Sequence, residues 1–324
     1  TGQDGGVAIL RNRVADTEMT LVMKYAAQGS SHGHFDKLSF SYYNNSSEVL
    51  QDYGLARFVN IEQKGGGNYL KENGTSSKQY LFDVNDSKVQ VISATDENAY
   101  PGTKMHRTMV VLEAEGYEKP LLLDIFQVDS DTANQYDLPF YYMGQMMSAN
   151  FKYETPKTLE PLGKADGYEH LWKEGVGEAG ANNTKFSWLS EGKFYTLTTA
   201  TQAEDEVLLV RLGANDPNFN LRRDAGIIIR KKNTKKATFV NVIETHGTYS
   251  PVTENAINAS SSIANVSIAF EDQDYVAVSI TGKNGVTDLF IIATKDNSKD
   301  KIHNLMVNGT NYSWTGSKYN TIIK

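Results

Sequence analysis

Residues 186–213 read FSWLSEGKFYTLTTATQAEDEVLLVRLG, and they decide the fold. Three runs of strand length, FSWLS, KFYTLTT and EVLLVRL, follow one another, with a turn signal at Gly192 between the first two. No part of this stretch carries the three-to-four-residue apolar spacing of an amphipathic helix. Upstream the same kind of run recurs: VAIL at 7–10, MTLVMKY at 19–25, KLSFSYY at 37–43, QYLFDV at 79–84, KVQVIS at 88–93 and MVVLEAE at 109–115. LLLDIFQV and LPFYYMG lead into the quoted stretch; GIIIRKK, TFVNVIE, VSIAFED, YVAVSIT, DLFIIAT and NLMVNGT follow it.

Turn signals separate the runs at Asn44-Asn45, Asn233, Lys283-Asn284-Gly285 and Asn308-Gly309, where Asn and Gly accept the positive φ of tight hairpins. The 18 tyrosines and 13 phenylalanines suit a half-buried pleated surface. The expected fold is all-β: a large antiparallel β-sandwich followed by a smaller C-terminal β-sheet domain. The polar stretch TYSPVTENAINASSS, with the last proline of the chain, is the expected linker. It divides a sandwich over 1–250 from a small sheet over 262–324, with 251–261 between them. No fixed-period repeat points to a propeller or solenoid.

With 324 residues, 40% of them hydrophobic, 22% charged and only 7 proline, the chain can bury a substantial core. Its net charge of −7 argues against nucleic acid or anionic lipid as a partner, so an acidic ligand needs a local cationic pocket. The absence of cysteine leaves His, Asp and Glu as the available metal ligands. No apolar run approaches the ~18 residues of a membrane span, and the opening TGQDGG has the character of a mature or trimmed start.

Two of the 6 histidines fall within Ser30-Ser31-His32-Gly33-His34-Phe35-Asp36. In an extended segment residues 32, 34 and 36 share one face, which brings two imidazoles and a carboxylate together for metal binding or proton transfer. The bland alternative is a pair of surface histidines in a Ser/Gly loop. H-x-H-x-D also occurs in metallo-β-lactamase-like hydrolases, but their further His is replaced by Lys37, and a chain without helices does not fit their layered α/β fold.

The longer strings LVMKYAAQGSSHGHFDKLSFSYY, VLQDYGLARF, GGGNYLKEN, NAYPGTKMHRTM and DPNFNLRRD together resemble the heparinase II/III-like polysaccharide lyases. Within that group the chain looks most like the oligoalginate lyases of polysaccharide lyase family 17. The resemblance implies β-elimination on a uronic acid polymer such as alginate. A base removes the proton beside the carboxylate, an acid protonates the departing glycosidic oxygen, and the carboxylate must be neutralised.

Carried over by position, the resemblance implies that His32 and Tyr69 are catalytic, with His32 aiding proton transfer or carboxylate neutralisation. It also implies that Arg57 contacts the substrate carboxylate, a role suited to its planar charged fork. His34 and Asp52 resemble ligands of the family's structural zinc. Taken without the resemblance, Asp52 reads as a turn residue, Arg57 as a rim charge, and Tyr69 as one of many tyrosines. Gly65–Gly67 lacks a G-K-[ST] ending and reads as a flexible loop beside the site.

Two parts of the family pattern are missing from the sequence. The helical toroid that completes the cleft does not precede Thr1, and residues 73–80, NGTSSKQY, stand where the family has a third zinc-binding His. The expectation is therefore a truncated lyase portion, weak as an enzyme on its own, with little or no tightly held zinc. A non-catalytic carbohydrate-binding scaffold, or a heparin or heparan lyase portion, remains as an alternative. The resemblance also implies a bacterial periplasmic or secreted protein.

Residues 222–236 concentrate basic side chains. Lys231, Lys232, Lys235 and Lys236 flank Asn233-Thr234 and read as a solvated hairpin tip, without the interleaved aromatics of a nucleic-acid surface. His106 and His246 read as hydrogen-bonded structural histidines, while His170 and His303 stand among polar residues and suggest no role. The N-x-[ST] triplets at Asn45, Asn73 and Asn308 are taken as chance.

Overall fold

The computed structural model describes residues 5–14, 17–26, 37–52, 76–164, 167–180, 182–213 and 224–323. Among the described residues the chain is all-β apart from one short 3-10 turn at Tyr168–His170. The architecture rests on two strands of 22 residues, Leu121–Tyr142 and Ala225–His246, hydrogen-bonded antiparallel to each other.

Each long strand serves two sheets. Residues 121–130 and 236–246 lie at the centre of an inner sheet. On one side it continues through Thr103–Leu112, Val89–Tyr100 and Lys78–Asp83, and on the other through Lys193–Ala200, Asn183–Ser190 and Gln145–Ala149. Residues 137–142 and 225–231 lie at the centre of an outer sheet. Its flanks are Ser47–Gln51, Phe40–Asn44, Thr17–Lys24 and Val7–Val14 on one side, and Glu206–Leu212, Leu171–Glu178 and Tyr153–Glu154 on the other.

Where the long strands pass between sheets the register slips twice, between Lys231 and Thr234 and between Thr234 and Lys236, and Asn233 has φ 53°. Bulges of this kind bend and twist a strand, and they make the corners by which strands change sheets. The basic segment is therefore not a hairpin tip. It is a bulge inside one strand, and its cations meet carboxylates of neighbouring strands: Lys231–Asp205 at 2.6 Å, Lys232–Glu206 at 2.5 Å and Lys236–Asp129 at 3.1 Å. Arg230 forks onto Asp137 at 2.7 and 2.6 Å.

The interior between the two sheets follows from alternation. Val7–Val14 and Thr17–Lys24 bury every second side chain, sending Leu10, Met19, Leu21 and Met23 against Ile92, Met109, Val111 and Leu122. Aromatic rings fill the wide end, where Trp188 stacks on Tyr195 with centroids 5.4 Å apart.

The inner sheet is buried on its other face as well. Val91, Val110, Leu123, Val240 and Val242 pack on a sheet made of Ile263–Glu271, Tyr275–Gly282, Thr287–Ala293 and Lys318–Ile323. That sheet is in turn covered by the hairpin Ile302–Val307/Thr310–Thr315 through Leu305, Val307 and Trp314. Four layers result, and strands buried on both faces read as unbroken apolar runs such as LLLDIF and YVAVSI. His303 departs from its polar sequence surroundings: it is buried, stacks on Trp314 at 5.3 Å, and its Nδ1 lies 2.9 Å from the Tyr275 hydroxyl. Within 248–262, Thr248–Ser250 pairs with Asn255–Ile257, and the Ser262 amide donates to Glu244 at 3.0 Å.

One charged pair lies inside the sandwich. Arg107 donates from Nε and Nη2 to the two oxygens of Asp124, both at 2.8 Å, while Asn241 Nδ2 donates to Asp124 at 3.1 Å. The guanidinium sits 4.7 Å from the Phe40 ring centre and 5.0 Å from that of Phe126. A fully hydrogen-bonded, bidentate arrangement is what allows such a pair to be buried. Asp124→Ala strands the guanidinium and is expected to cost about 3–5 kcal/mol. Urea unfolding measures this, and a loss below about 1 kcal/mol would show that the pair is not held as described.

Two groups facing the layer between the inner and C-terminal sheets titrate in opposite senses. Burial pushes His106, which lies 2.6 Å from the Ser93 hydroxyl, down to about 4. Burial first, and then the charge of Glu115, push Asp288 up to about 6. The histidine contribution is complete above its unfolded value near 6.5 and is lost as pH falls toward 4. The aspartate has the opposite sign: stability is greatest when it is protonated and falls as pH rises through about 6. Between pH 7 and 5, His106→Gln should therefore gain about 2 kcal/mol relative to the unmodified chain, and Asp288→Asn should lose about 1 kcal/mol. Thermal or urea melts at both pH values check the signs, and parallel pH profiles for all three proteins would refute the assignment.

Candidate active site

At one end of the outer sheet three strand termini are tied through a single carboxylate. Asp52 follows Ser47–Gln51; its side chain is 2% exposed, and its Oδ2 accepts from Lys24 Nζ at 2.5 Å and Ser39 Oγ at 2.8 Å. Lys24 ends the strand Thr17–Lys24, and Ser39 precedes Phe40–Asn44. The carboxylate thus fixes the ends of three neighbouring strands at the point where two long segments leave the sheet.

Those segments, 27–36 and 53–75, lie outside the described residues, and with them His32, His34, Asp36, Arg57, Gly65–Gly67 and Tyr69. Their described flanks converge. The Lys24 amide donates to the Ser39 carbonyl at 2.8 Å, the Tyr25 amide to Gly6 at 2.9 Å, and the Gly5 amide to Ser77 at 2.9 Å. The Tyr25 hydroxyl reaches Gln79 at 3.1 Å, and burial raises its pKa above the usual tyrosine value. Asp96 closes the far flank, accepting from Ser77 Oγ at 2.8 Å and from the amides of Asn98 and Ala99 at 2.9 and 2.8 Å. The string holding the two histidines and the string holding Arg57 and Tyr69 therefore depart from one end of one sheet. Of DPNFNLRRD, residues 216–223 lie outside the described residues, and only Asp224, just before the strand Ala225–His246, is described.

A buried contact without a local sequence signature lies beside this end. Leu38 is fully buried and left-handed, with φ 59°, two residues after Asp36. Its carbonyl accepts from Arg107 Nη1 at 3.1 Å. A leucine in that conformation is rare and persists only where its surroundings impose it. Here the surroundings are a guanidinium already locked by Asp124. In NAYPGTKMHRTM alternation sends His106 and Arg107 to opposite faces of the strand.

The zinc ligands implied by resemblance can be tested at Asp52. An ammonium 2.5 Å from Oδ2 and a zinc ion compete for the same oxygen, and a structural zinc site closes with four ligands. Among the described residues no three His, Asp or Glu side chains gather in a metal-binding arrangement. Of that donor set the described residues include only Asp52, whose Oδ2 is taken by Lys24, while His34 lies outside them. Elsewhere, His246 is hydrogen-bonded through both ring nitrogens, to Thr196 and to the Asn258 carbonyl, each at 2.8 Å. Among the described residues no helix is long and apolar enough to cross a membrane.

Comparison with known proteins bears on this geometry. The chain is 35% identical to an alginate lyase of Stenotrophomonas maltophilia (strain K279a), covering 98% of this chain and 46% of that protein. It is 33% identical to an exo-oligoalginate lyase of Saccharophagus degradans, covering 97% of this chain and 47% of that protein. Among solved structures, the heparan sulfate lyase HepC of Pedobacter heparinus aligns with a TM-score of 0.59 at 10% identity, over 90% of this chain and 42% of that one. A heparinase III gene product aligns with a TM-score of 0.58 at 12% identity, over 98% of this chain and 41% of that one. At such identities the two structures share the fold alone, and the chain spans about half the length of the curated relatives it matches. Residues 1–249 match the family model described as heparinase II/III-like, C-terminal, so the chain belongs to the heparinase II/III-like C-terminal family.

Proposed function

We propose that this chain is the β-sheet portion of an alginate lyase acting by β-elimination. The observation that carries the proposal is one-third identity, across nearly the whole chain, to two proteins named as alginate lyases. The heparin and heparan alternative draws only on a shared fold at 10–12% identity. The scaffold alternative is weakened at the basic segment, because Arg230, Lys231, Lys232 and Lys236 are each matched by a carboxylate.

In this reading His32 and Tyr69 move the proton taken from beside the carboxylate and the proton given to the leaving oxygen. Arg57 neutralises the carboxylate, whose developing negative charge is the electrostatic obstacle to the step. The convergent flanks at Tyr25, Leu38, Asp52 and Ser77 support the grouping, since they tie both strings to one end of the sheet. A helical portion supplies the rest of the cleft, and the protein works in the bacterial periplasm or outside the cell. Zinc is held weakly or not at all, with Lys24 supplying the positive charge at Asp52.

The isolated chain is expected to release unsaturated uronate from alginate oligomers at least ~100-fold more slowly than the chain supplied with the helical half of the polypeptide, since positioned acid–base groups contribute about 10²–10⁴-fold. In the reconstituted enzyme His32→Ala, Tyr69→Phe and Arg57→Ala each lower kcat by a comparable factor, since all three act on charge or protons that move in the step. Full turnover by the isolated chain overturns the incomplete-site reading. After dialysis, elemental analysis should find zinc well below one per chain, and a stoichiometric content would refute the substitution of Lys24 for metal.

A further inference from the structure

Among the described residues the hairpin Ile302–Val307/Thr310–Thr315 forms a backbone ladder only with itself, as a separate two-stranded sheet. One face joins it to the rest of the molecule. His303 stands opposite Trp314 and Leu305 opposite Tyr312, and with Val307 these side chains turn inward over Ala277, Leu289 and Ile291 of the sheet beneath. The other face meets solvent, with Ile302 65% and Met306 63% exposed. A two-stranded hairpin is marginal on its own, so the order of this one depends on its inner face. We infer that the hairpin is an acid-released flap, latched over the C-terminal sheet by the neutral imidazole of His303.

The latch is a closed aromatic box. His303 is 2% exposed; it stacks on Trp314 with the ring planes 21° apart, and the Tyr275 ring stands edge-on to it at 5.6 Å. Nδ1 lies 2.9 Å from the Tyr275 hydroxyl, while Nε2 is buried without a hydrogen-bond partner among the described residues. In one tautomer the Tyr275 O–H donates to a bare Nδ1; in the other Nδ1–H donates to the hydroxyl oxygen. Either way the neutral ring leaves one nitrogen unpaired but carries no charge. An imidazolium bears a hydrogen on both nitrogens, and the one on Nε2 is then a charged donor with no acceptor, the form of burial that costs most. Stacking of the charged ring on Trp314 offsets only part of that cost.

The charged groups around the box supply no acceptor. In the loop before the hairpin Asp296 pairs with Lys301 at 2.9 Å, and Lys299 and Asp300 are exposed. Ahead of Tyr275, Asp274 pairs with Lys295 at 3.1 Å, and Asp272 accepts from the amides of Asp274 and Tyr275, both at 2.8 Å. From the edge strand, Tyr319 stacks on Trp314 at 5.7 Å, and Lys318 lies 3.3 Å from Asp83. Burial is the largest influence on His303 and lowers its pKa; the Asp296 charge opposes this and the Lys301 charge adds to it. In the open flap the ring meets water and titrates at its ordinary value near 6.5. Closure is therefore complete above that value and weakens as pH falls through it. The inference is independent of the lyase reading.

The test is hydrogen–deuterium exchange of the whole chain, read in peptides covering residues 302–315 and corrected for the intrinsic pH dependence of exchange. Between pH 7.5 and 5.5 flap opening should rise ~3- to 10-fold, ten being the limit for uptake of one proton by an ordinary histidine in the open state. Peptides covering 121–125, at the centre of the inner sheet, report global unfolding and should not follow. His303→Phe keeps a ring against Trp314 and takes up no proton, so opening of its flap should not change with pH. If that variant does not fold, His303→Gln takes its place, retaining an acceptor for the Tyr275 hydroxyl without a titrating group. Flap protection in the unmodified chain that is constant over this range overturns the inference. A flap that opens only in step with residues 121–125, or a folded variant with the same pH dependence, overturns it as well.

Discussion

The fold depends on the hydrogen bonding of Leu121–Tyr142 to Ala225–His246 along nearly their whole length, through two bulges and across both sheets. Because the two strands remain paired while they change sheets, the sandwich cannot open along that seam without breaking a continuous ladder. The corner then determines where polar groups must go. At the bend the backbone turns toward water, and Lys231, Lys232 and Lys236 each meet an acid from an adjoining strand. Exposed pairs such as Lys236–Asp129 contribute little individually, and their effect is to keep the bulge solvated and in register.

The sheet class was legible because burial on one face writes alternation, as in VAILRNRV, and burial on both faces writes unbroken runs, as in LLLDIF. The length of the strands was not. KKNTKK interrupts the apolar pattern for six residues and contains an Asn that tolerates positive φ, two signals that a turn and a bulge share. What separates them is whether the flanking runs pair with each other or with other strands, a long-range fact absent from the local pattern. His303 shows the same limit: its sequence neighbours Asn304 and Lys301 face out, and the rings that bury it come from Tyr275 and Trp314.

The candidate site divides in the same way. Asp52 was identifiable only by resemblance, and its partners Lys24 and Ser39 come from strands 28 and 13 residues earlier. Arg107 was unreadable for a different reason. A single arginine in an alternating strand reads as an outward residue, since isolated charges avoid the interior. The Asp124 that admits it lies 17 residues away on the next strand. Buried ion pairs are invisible to any rule that scores residues one at a time.

These two pairs fix the described end of the outer sheet. A carboxylate only 2% exposed needs a positive partner, because an ionised oxygen removed from water without one costs several kcal/mol. A divalent ion or an ammonium can meet that need. A metal also gathers further ligands and so pins more chain, whereas an ammonium pins only the two strands that share it. The remaining constraint falls to Arg107, which holds the carbonyl of Leu38 from the opposite sheet and fixes the left-handed turn that follows His32–Asp36. Lys24 answers the charge of Asp52 and Arg107 answers the geometry at Leu38.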